Sequence, residues 1–284
     1  MLNLKKILLP VDFSGRSEGV VRYAQALASR FHSQVILLHV EHDRFRVGCE
    51  ETQGPPMGSI EHTLWLKARL ESFSKDKLQG PHVSRVVVEG DPATKITEFA
   101  HAEAVDLILM PTSGHRPVRQ FLWGSVLARV LHDSNCPVWT GTHLAEEPPG
   151  NLLSFKKVAC AIDLGSHTRS ALSWASEFAT SFGALLLVIH VPKPSDSDRP
   201  TASTPNTPLQ VMKSARREIE SLLSTLAIKA DIAMGSGAAP TAICEFTLGF
   251  AVDVLAIGRC PSSGRLHSDT YTIIRQSSCP VVSI

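Results

Sequence analysis

An aspartate and a glycine-containing segment are the parts of this sequence whose residue types and spacing best suit chemistry. Asp12 follows the strand-like run Lys6–Val11, and nine residues separate Gly114 from Gly124-Ser125. Glycines let the backbone approach an anion closely and adopt positive φ. We expect a helix to open at Gly124, so that its first amides and Ser125 would present hydrogen-bond donors at a positive dipole end. The segment therefore predicts an anion cradle, with Asp12 as a nearby acceptor.

The elements that position these residues occur twice, because the second half of the chain repeats the first. The offset is 163 − 12 = 151 at the aspartate after the first strand, 253 − 106 = 147 before the fourth strand, and 279 − 136 = 143 before the fifth. The matching pairs are Asp12 and Asp163, His39-Val40 and His190-Val191, Asp106 and Asp253, and Cys136 and Cys279. A period of about half the chain indicates two copies of one domain.

Short β-rich apolar runs alternate with helical patterns in each half, which is typical of a parallel sheet covered by helices. The strands predicted in the first half are Lys6–Val11, Gln34–Val40, His82–Val88, Leu107–Pro111 and Val138–Thr140. The predicted helices are Ser14–Phe31, with Ser14 as its cap, Ser59–Leu78, Thr94–Ala104 and Gly124–Ser134. The fold class is thus α/β, with two tandem five-stranded parallel-sheet domains, Rossmann-like, with helices on both faces. The proline-rich stretch Leu144–Leu153 separates domain 1 (residues 1–143) from domain 2 (residues 154–284).

Composition narrows the function classes. The chain has 28 basic and 27 acidic residues, so it lacks the broad positive field typical of nucleic-acid or membrane-surface proteins. Its apolar runs are strand-sized and its first residues do not resemble a secretion signal, so we expect a cytoplasmic protein with no membrane contact. The histidines and cysteines show no metal-ligand spacing, and we expect no metal site.

Three segments resemble the universal stress protein family: Ile7–Ser14, the strand end His39-Val40, and the stretch from Met110 to Val138. The resemblance covers both halves of the chain and implies a five-stranded fold of the adenine nucleotide alpha hydrolase type, with the two copies related by a pseudo-two-fold axis. It also implies a cytoplasmic stress-response protein that binds ATP in domain 1, with AMP or ADP as alternatives and Mg²⁺ as a companion ion. The nucleotide-binding residues that it implies are Pro10, Val11, Asp12, Phe13, Val40, Met110, Ser113, Gly114, Gly124, Ser125 and Val126.

The first glycine of the family's phosphate-binding pattern is replaced here by Pro111. Proline has no N–H group, so any phosphate hydrogen bond made at that position is lost. We expect weakened but not abolished binding, with His115, Arg116 and Arg119 able to compensate by pairing with phosphates.

Domain 2 departs further from the pattern. Gly258 keeps the first glycine position, but Pro261 replaces the second and His267-Ser268 replaces Gly-Ser. The segment from the aspartate before the fourth strand to the serine is also shorter. Asp253 and Ser268 are 268 − 253 = 15 positions apart, whereas Asp106 and Ser125 are 125 − 106 = 19 positions apart. We therefore expect no ATP in domain 2 and a capping role for Asp163, although Asp163 and Val191 could still line a base pocket.

Three functions remain open: a nucleotide-sensing regulatory module, a nucleotide-free interaction scaffold, and a slow ATPase. The sequence contains neither Gly-x4-Gly-Lys-Ser/Thr nor Gly-x-Ser-x-Gly and offers no candidate catalytic base, so we expect no catalytic residues and at most weak ATP hydrolysis. Protein partners are unknown. The resemblance implies that Val138–Thr140 and Val281–Ile284 pair as an intra-chain pseudo-dimer, and a homodimer is the further alternative.

Overall fold

The computed structural model describes residues 2–42, 59–78, 82–111, 121–141, 154–192, 207–259 and 268–284. These residues form two compact units, the first unit from residues 3–141 and the second unit from residues 154–284. Each unit is an α/β domain with a parallel sheet, which confirms the predicted fold class.

The first unit contains five strands and four helices in alternating order within the described residues. The strands are β1 (Lys6–Pro10), β2 (Gln34–Glu41), β3 (Val83–Glu89), β4 (Leu107–Pro111) and β5 (Val138–Gly141). The helices are α1 (Gly15–Phe31), α2 (Ile60–Ser72), α3 (Pro92–Ala102) and α4 (Phe121–Asp133). The strands lie in the order β3-β2-β1-β4-β5, and all neighbours are parallel.

The second unit repeats this order. Its strands are β6 (Lys157–Ile162), β7 (Leu185–His190), β8 (Asp231–Met234), β9 (Val254–Ile257) and β10 (Val281–Ser283). Its helices are α5 (Thr168–Phe182), α6 (Pro208–Thr225), α7 (Ala239–Gly249) and α8 (Ser268–Gln276). The strands lie in the order β8-β7-β6-β9-β10, again with parallel neighbours.

The core of each unit surrounds its central strands. Ile7, Leu8 and Leu9 are consecutive in β1, and each is 0% exposed. Because successive side chains of a strand point to opposite faces, their burial requires cover on both faces of the sheet. This is why β1 is a continuous apolar run rather than an alternating one.

A repeated hydrogen-bonding device fixes the start of the first strand in each unit. Asp106 Oδ2 accepts the backbone N–H groups of Lys5 and Lys6 at 2.7 and 2.8 Å. Asp253 Oδ2 accepts those of the two lysines at the start of β6, also at 2.7 and 2.8 Å. The sequence repeat therefore extends to individual hydrogen bonds, which satisfy backbone donors that would otherwise lack a partner.

Three helices of the first unit differ from their predicted bounds by two residues or more. Helix α3 runs from Pro92 to Ala102 rather than from Thr94 to Ala104. Helix α2 ends at Ser72 rather than Leu78, because Phe73 is extended and Ser74 has a φ of 47°. Helix α4 begins at Phe121, before the predicted start at Gly124. None of the helices in the described part of the chain is long and apolar enough to cross a membrane.

Candidate functional site

The candidate site lies at the carboxyl end of β1, between β2 and β4. The chain leaves β1 through α1 to reach β2 on one side, whereas β4 pairs with β1 on the other side. Such a switch point opens a crevice beyond the strand ends, which is where open α/β sheets bind ligands. The N–H group of Val11 donates to Leu38 O at 2.8 Å. Asp12 is the next residue along the chain, so the sheet fixes its position.

The Asp12 carboxylate is held by one of its two oxygens. Oδ1 accepts the Ser14 hydroxyl at 2.6 Å, the Ser14 N–H at 3.0 Å and the Ser17 hydroxyl at 2.5 Å. The Asp12 N–H in turn donates to Ser17 Oγ at 3.3 Å. No donor from the described residues contacts Oδ2. The carboxylate is therefore fixed in orientation and keeps an acceptor oxygen for a ligand.

Ser14 thus has a role that differs from its prediction as a cap, and Ser17 has a role that was not predicted. Ser14 occupies the N-cap position of α1, but its side chain makes no capping hydrogen bond. Its hydroxyl donates to the Asp12 carboxylate instead, which makes a charge-assisted hydrogen bond. Ser17, which is 0% exposed, was missed, although the repeat offered a signal: Asp12 and Ser17 match Asp163 and Thr168.

Phe13 turns the chain sharply after Asp12. Its φ is 60°, which is uncommon for a residue with a side chain. The ring lies 4.5 Å from the His39 ring and 6.1 Å from the Phe73 ring, measured between centroids. The Arg69 guanidinium lies over the Phe13 ring, 4.4 Å from its centroid. Helix α2 therefore contributes a cation, and the residue that follows it an aromatic ring, next to Phe13, which sequence spacing alone did not indicate.

His39 links the ends of β1 and β2. Its Nδ1 lies 2.8 Å from Val11 O, so the neutral ring donates from Nδ1 to this carbonyl. Burial lowers the pKa of His39, against the opposing effects of the Val11 hydrogen bond and of nearby Glu41. In the second unit, His190 Nδ1 contacts Ile162 O at the same 2.8 Å. The prediction that these histidines make local hydrogen bonds is confirmed.

The remaining predicted site residues divide into three groups. Pro10, Val11, Met110 and Val126 are buried, and Phe13 and Val40 are half-buried. Gly124 and Ser125 lie in the first turns of α4, whose backbone begins at Phe121. Ser113, Gly114, His115, Arg116 and Arg119 lie outside the described residues. Pro111 ends β4 and is paired in register with Gly141 of β5.

A hydrogen-bonded ion pair connects α4 to the start of α3. Arg129 Nη1 lies 2.8 Å from Asp91 Oδ1, and Arg129 Nη2 donates to Thr94 Oγ1 at 2.9 Å. Asp91 Oδ1 also accepts the Thr94 N–H at 3.0 Å and so caps α3. Partial burial raises the pKa of Asp91, but the Thr94 hydrogen bonds and Arg129 outweigh it, so that its pKa is lowered. This contact links the start of α3 to the helix that carries Gly124 and Ser125.

The corresponding region of the second unit contains a cavity of about 190 Å³. Its lining includes Asp163, Val191, Gly258 and Asp269. Asp163 Oδ1 accepts the Gly165 N–H at 2.8 Å and is 3.5 Å from the Thr168 hydroxyl. The predicted capping role of Asp163 is wrong, because the N-cap position of α5 is His167 and Asp163 instead closes the turn before it. Within the described residues, no cluster of three or more His, Cys, Asp or Glu could hold a metal ion.

Comparisons with known proteins agree with this architecture. The model of the universal stress protein family matches residues 3–140 and 154–284, so the chain belongs to the universal stress protein family. A universal stress protein of Methanocaldococcus jannaschii is 33% identical over 140 residues, covering 47% of this chain and 79% of the relative. The crystal structure of a universal stress protein from Archaeoglobus fulgidus covers 99% of this chain and 96% of its own, with 21% identity and a TM-score of 0.72. A universal stress protein solved in complex with cAMP covers 48% of this chain and 95% of its own, with 18% identity and a TM-score of 0.36.

Proposed function

We propose that this universal stress protein is a regulatory module that binds an adenine nucleotide, ATP in the first instance, in its first unit. The observation that carries the proposal is the Asp12 carboxylate, which is anchored through Oδ1 by Ser14 and Ser17 and leaves Oδ2 without a described donor. An acceptor that is already oriented loses little entropy when a ligand hydroxyl binds it.

The expected contacts follow from the resemblance to the family and, for the described residues, from their places around the crevice. Asp12 Oδ2 would accept a hydrogen bond from a ribose hydroxyl, and the backbone of Val40 would meet the adenine edge. Pro10, Val11 and Met110 would form the apolar wall, and the segment with Ser113, Gly114, Gly124, Ser125 and Val126 would face the phosphates. The amides at the start of α4 favour a negative group there, since the positive end of a helix dipole is at its N-terminus.

Pro111 sets the expected strength of binding. A hydrogen bond to a charged group contributes about 1.5–3 kcal/mol, so the loss of one amide donor weakens binding by roughly ten- to a hundredfold. The proposal is therefore a site of moderate affinity, which suits a sensor that responds to changes in nucleotide concentration.

A regulatory role is favoured over catalysis because the mechanism of hydrolysis needs a group that activates water. His39 Nδ1 is used in its contact with Val11 O, and Asp12 Oδ1 accepts three hydrogen bonds. In the proposed contacts Asp12 Oδ2 is used by the ribose hydroxyl rather than by a water at the phosphates, and the sequence contains neither Gly-x4-Gly-Lys-Ser/Thr nor Gly-x-Ser-x-Gly. We expect ADP release from bound ATP to be slow or absent in a time-resolved assay.

Isothermal titration calorimetry with ATP, AMP and cAMP tests the proposal. The variants are Asp12→Ala, which removes the acceptor, and Gly124→Glu, which adds bulk and negative charge beside the phosphates. Both should weaken nucleotide binding at least tenfold, whereas the matched Asp163→Ala variant of the second unit should leave ATP binding unchanged. Equal ATP affinity in wild type and both first-unit variants would reject the site. Absence of any nucleotide binding by the wild type would favour the interaction scaffold.

A further inference from the structure

Strand β3 is the edge strand of the first unit's sheet. All seven of its residues pair in register with β2, without a bulge, from Val83 opposite Val35 to Glu89 opposite Glu41. No strand of the described residues lies on its other side. An edge of this kind presents a row of unpaired backbone groups to which another strand can be added.

The hydrogen bonds with β2 show which backbone groups of β3 are unused. Val35 N–H donates to His82 O at 2.8 Å, and Gly90 N–H donates to Glu41 O at 3.0 Å. Because alternate residues of a strand turn their N–H and C=O groups to opposite sides, the even-numbered residues of β3 face β2. The outward groups belong to the odd-numbered residues, which are Val83, Arg85, Val87 and Glu89. No residue in the described part of the chain bonds these groups.

The edge of the second unit's sheet offers much less. Strand β8 has four residues, and the bond from Gly235 N–H to His190 O at 2.8 Å leaves only Ile232 and Met234 facing outward. Very short edge strands are one way in which proteins avoid pairing with other chains, and proline or lysine on the edge is another. Strand β3 has none of these protections, since it is longer and contains neither residue type.

Helix α2 exposes an apolar stripe on the side of this edge. Ile60 is 81% exposed and Leu64 is 59% exposed. Glu71 follows Leu64 by seven residues, so all three lie on one side of the helix. Glu71 Oε2 lies 3.9 Å from Arg85 Nη1 of β3, whereas Arg69 lies on another side of the helix, over the Phe13 ring. The stripe therefore flanks the edge strand and points away from the candidate site.

The charges around the edge suit a second copy of this chain. Strand β3 carries Arg85 and Glu89, and the stripe side of α2 carries Lys67 and Glu71, so the two signs are balanced. A two-fold contact brings each surface against itself, and like charges there would repel. A balanced surface avoids this repulsion, and it offers no attraction to a strongly charged partner.

We propose that two copies of this protein associate through antiparallel pairing of their β3 strands about a two-fold axis. In the register that pairs all seven residues, Val86 lies opposite Val86 of the second copy, and Arg85 lies opposite Val87. Outward groups then meet outward groups, so each strand satisfies the unused donors and acceptors of the other. The two α2 helices lie on the same face of the joined sheet, where their apolar stripes of Ile60 and Leu64 flank the strand pair. This contact does not depend on nucleotide binding.

Sedimentation of the full chain at concentrations from about 1 µM to 1 mM tests the proposal. The wild type should form dimers that dissociate on dilution. Val87→Pro removes an outward N–H group but no bond to β2, and it should weaken dimerisation at least tenfold. The double variant Ile60→Lys with Leu64→Lys should do the same, because it places four positive charges at the contact. The matched controls in the second unit are Ile232→Pro in β8 and Leu209→Lys in α6, where Leu209 is 62% exposed, and neither should change dimerisation.

Oxidative crosslinking tests the register. Val86→Cys should give a covalent dimer, because residues directly opposite at this kind of position have Cα atoms about 4.5 Å apart, within disulfide range. Ser84→Cys should not, because residue 84 lies opposite Val88 and about 13 Å along the strand from its own copy.

Three results would overturn the proposal. They are a wild-type chain that stays monomeric over the whole concentration range, dimers that neither Val87→Pro nor the double lysine variant weakens, and crosslinking through residue 84 but not through residue 86. If circular dichroism shows that the proline variant does not fold, the lysine variant decides, because both of its substitutions are at exposed positions.

Discussion

Phe13 and Leu164 share one unusual backbone conformation, with φ values of 60° and 61°, and each directly follows the aspartate at the end of its unit's first strand. The left-handed region costs a residue with a side chain about 1–2 kcal/mol. Its presence in both copies, on two different side chains, indicates that the turn geometry requires it. That turn places the aspartate side chain at the strand end, so the strain lies where a ligand would bind.

Branching at Cβ should expose this requirement. Leu164→Ile keeps the side-chain volume but adds a branch that disfavours positive φ, so we expect a loss of about 1–2 kcal/mol in the free energy of unfolding. Leu164→Asn, which tolerates this conformation, should lose less although it is the more polar change. Urea-induced unfolding monitored by circular dichroism measures both. Equal losses in the two variants would show that side-chain packing, and not φ, dominates at this position.

Ser17 should matter to ligand binding although it is buried beneath the carboxylate. Ser17→Ala removes a hydrogen bond to Asp12 Oδ1 and leaves the Asp12 N–H without an acceptor, at an expected cost of about 1–3 kcal/mol in stability. Because the carboxylate is then less well oriented, ATP affinity should fall by about tenfold in calorimetry. The matched control is Thr168→Ala, whose contact with Asp163 is 3.5 Å long, and which should change stability less and ATP binding not at all.

His39 should make the stability of the protein depend on pH. Burial lowers the pKa of His39 below its ordinary value of 6.5, so the unfolded chain takes up this proton before the folded protein does. The free energy of unfolding should therefore decrease as the pH falls from 6.5 towards the lowered pKa, and the contribution is fully present above 6.5. Denaturant unfolding at a series of pH values measures the slope.

His39→Asn is the control for that slope. An asparagine amide can donate to Val11 O in place of Nδ1 but does not titrate, so this variant should lose stability less steeply below pH 6.5. Identical pH profiles in wild type and variant would assign the dependence to other groups.

The start of α7 should accept a stabilising cap. Its N-cap residue, Ala238, is exposed and makes no side-chain cap, whereas Asp91 caps α3 at the matching position. Thr241 lies where Thr94 lies, so Ala238→Asp should recover the same hydrogen bond and raise the free energy of unfolding by about 0.5–2 kcal/mol at neutral pH. Thermal unfolding should show the gain. Ala238→Leu, which offers no acceptor, should show none.

Several features could be predicted from the sequence because they depend on short-range patterns. The bounds of β4 at Leu107 and Pro111 were predicted correctly, since an apolar run follows Asp106 and ends at Pro111. The local hydrogen bonds of His39 and His190 were predicted from their equivalent places at strand ends. The end of α2 was not, because the helical pattern continues past Ser72 and only the conformation of Phe73 and Ser74 stops it.

The sequence by itself determined the repeat, the α/β class and the place of Asp12 at the end of a central strand, because hydrophobic periodicity and residue spacing are carried by the chain locally. Only the tertiary structure decided how that aspartate is used. The contact of Arg69 with Phe13 joins residues 56 positions apart (69 − 13 = 56). In the second unit, Asp163 and Asp269 line the same cavity. Such neighbours are set by how helices pack on the sheet, and side-chain packing in three dimensions has no counterpart in one-dimensional spacing.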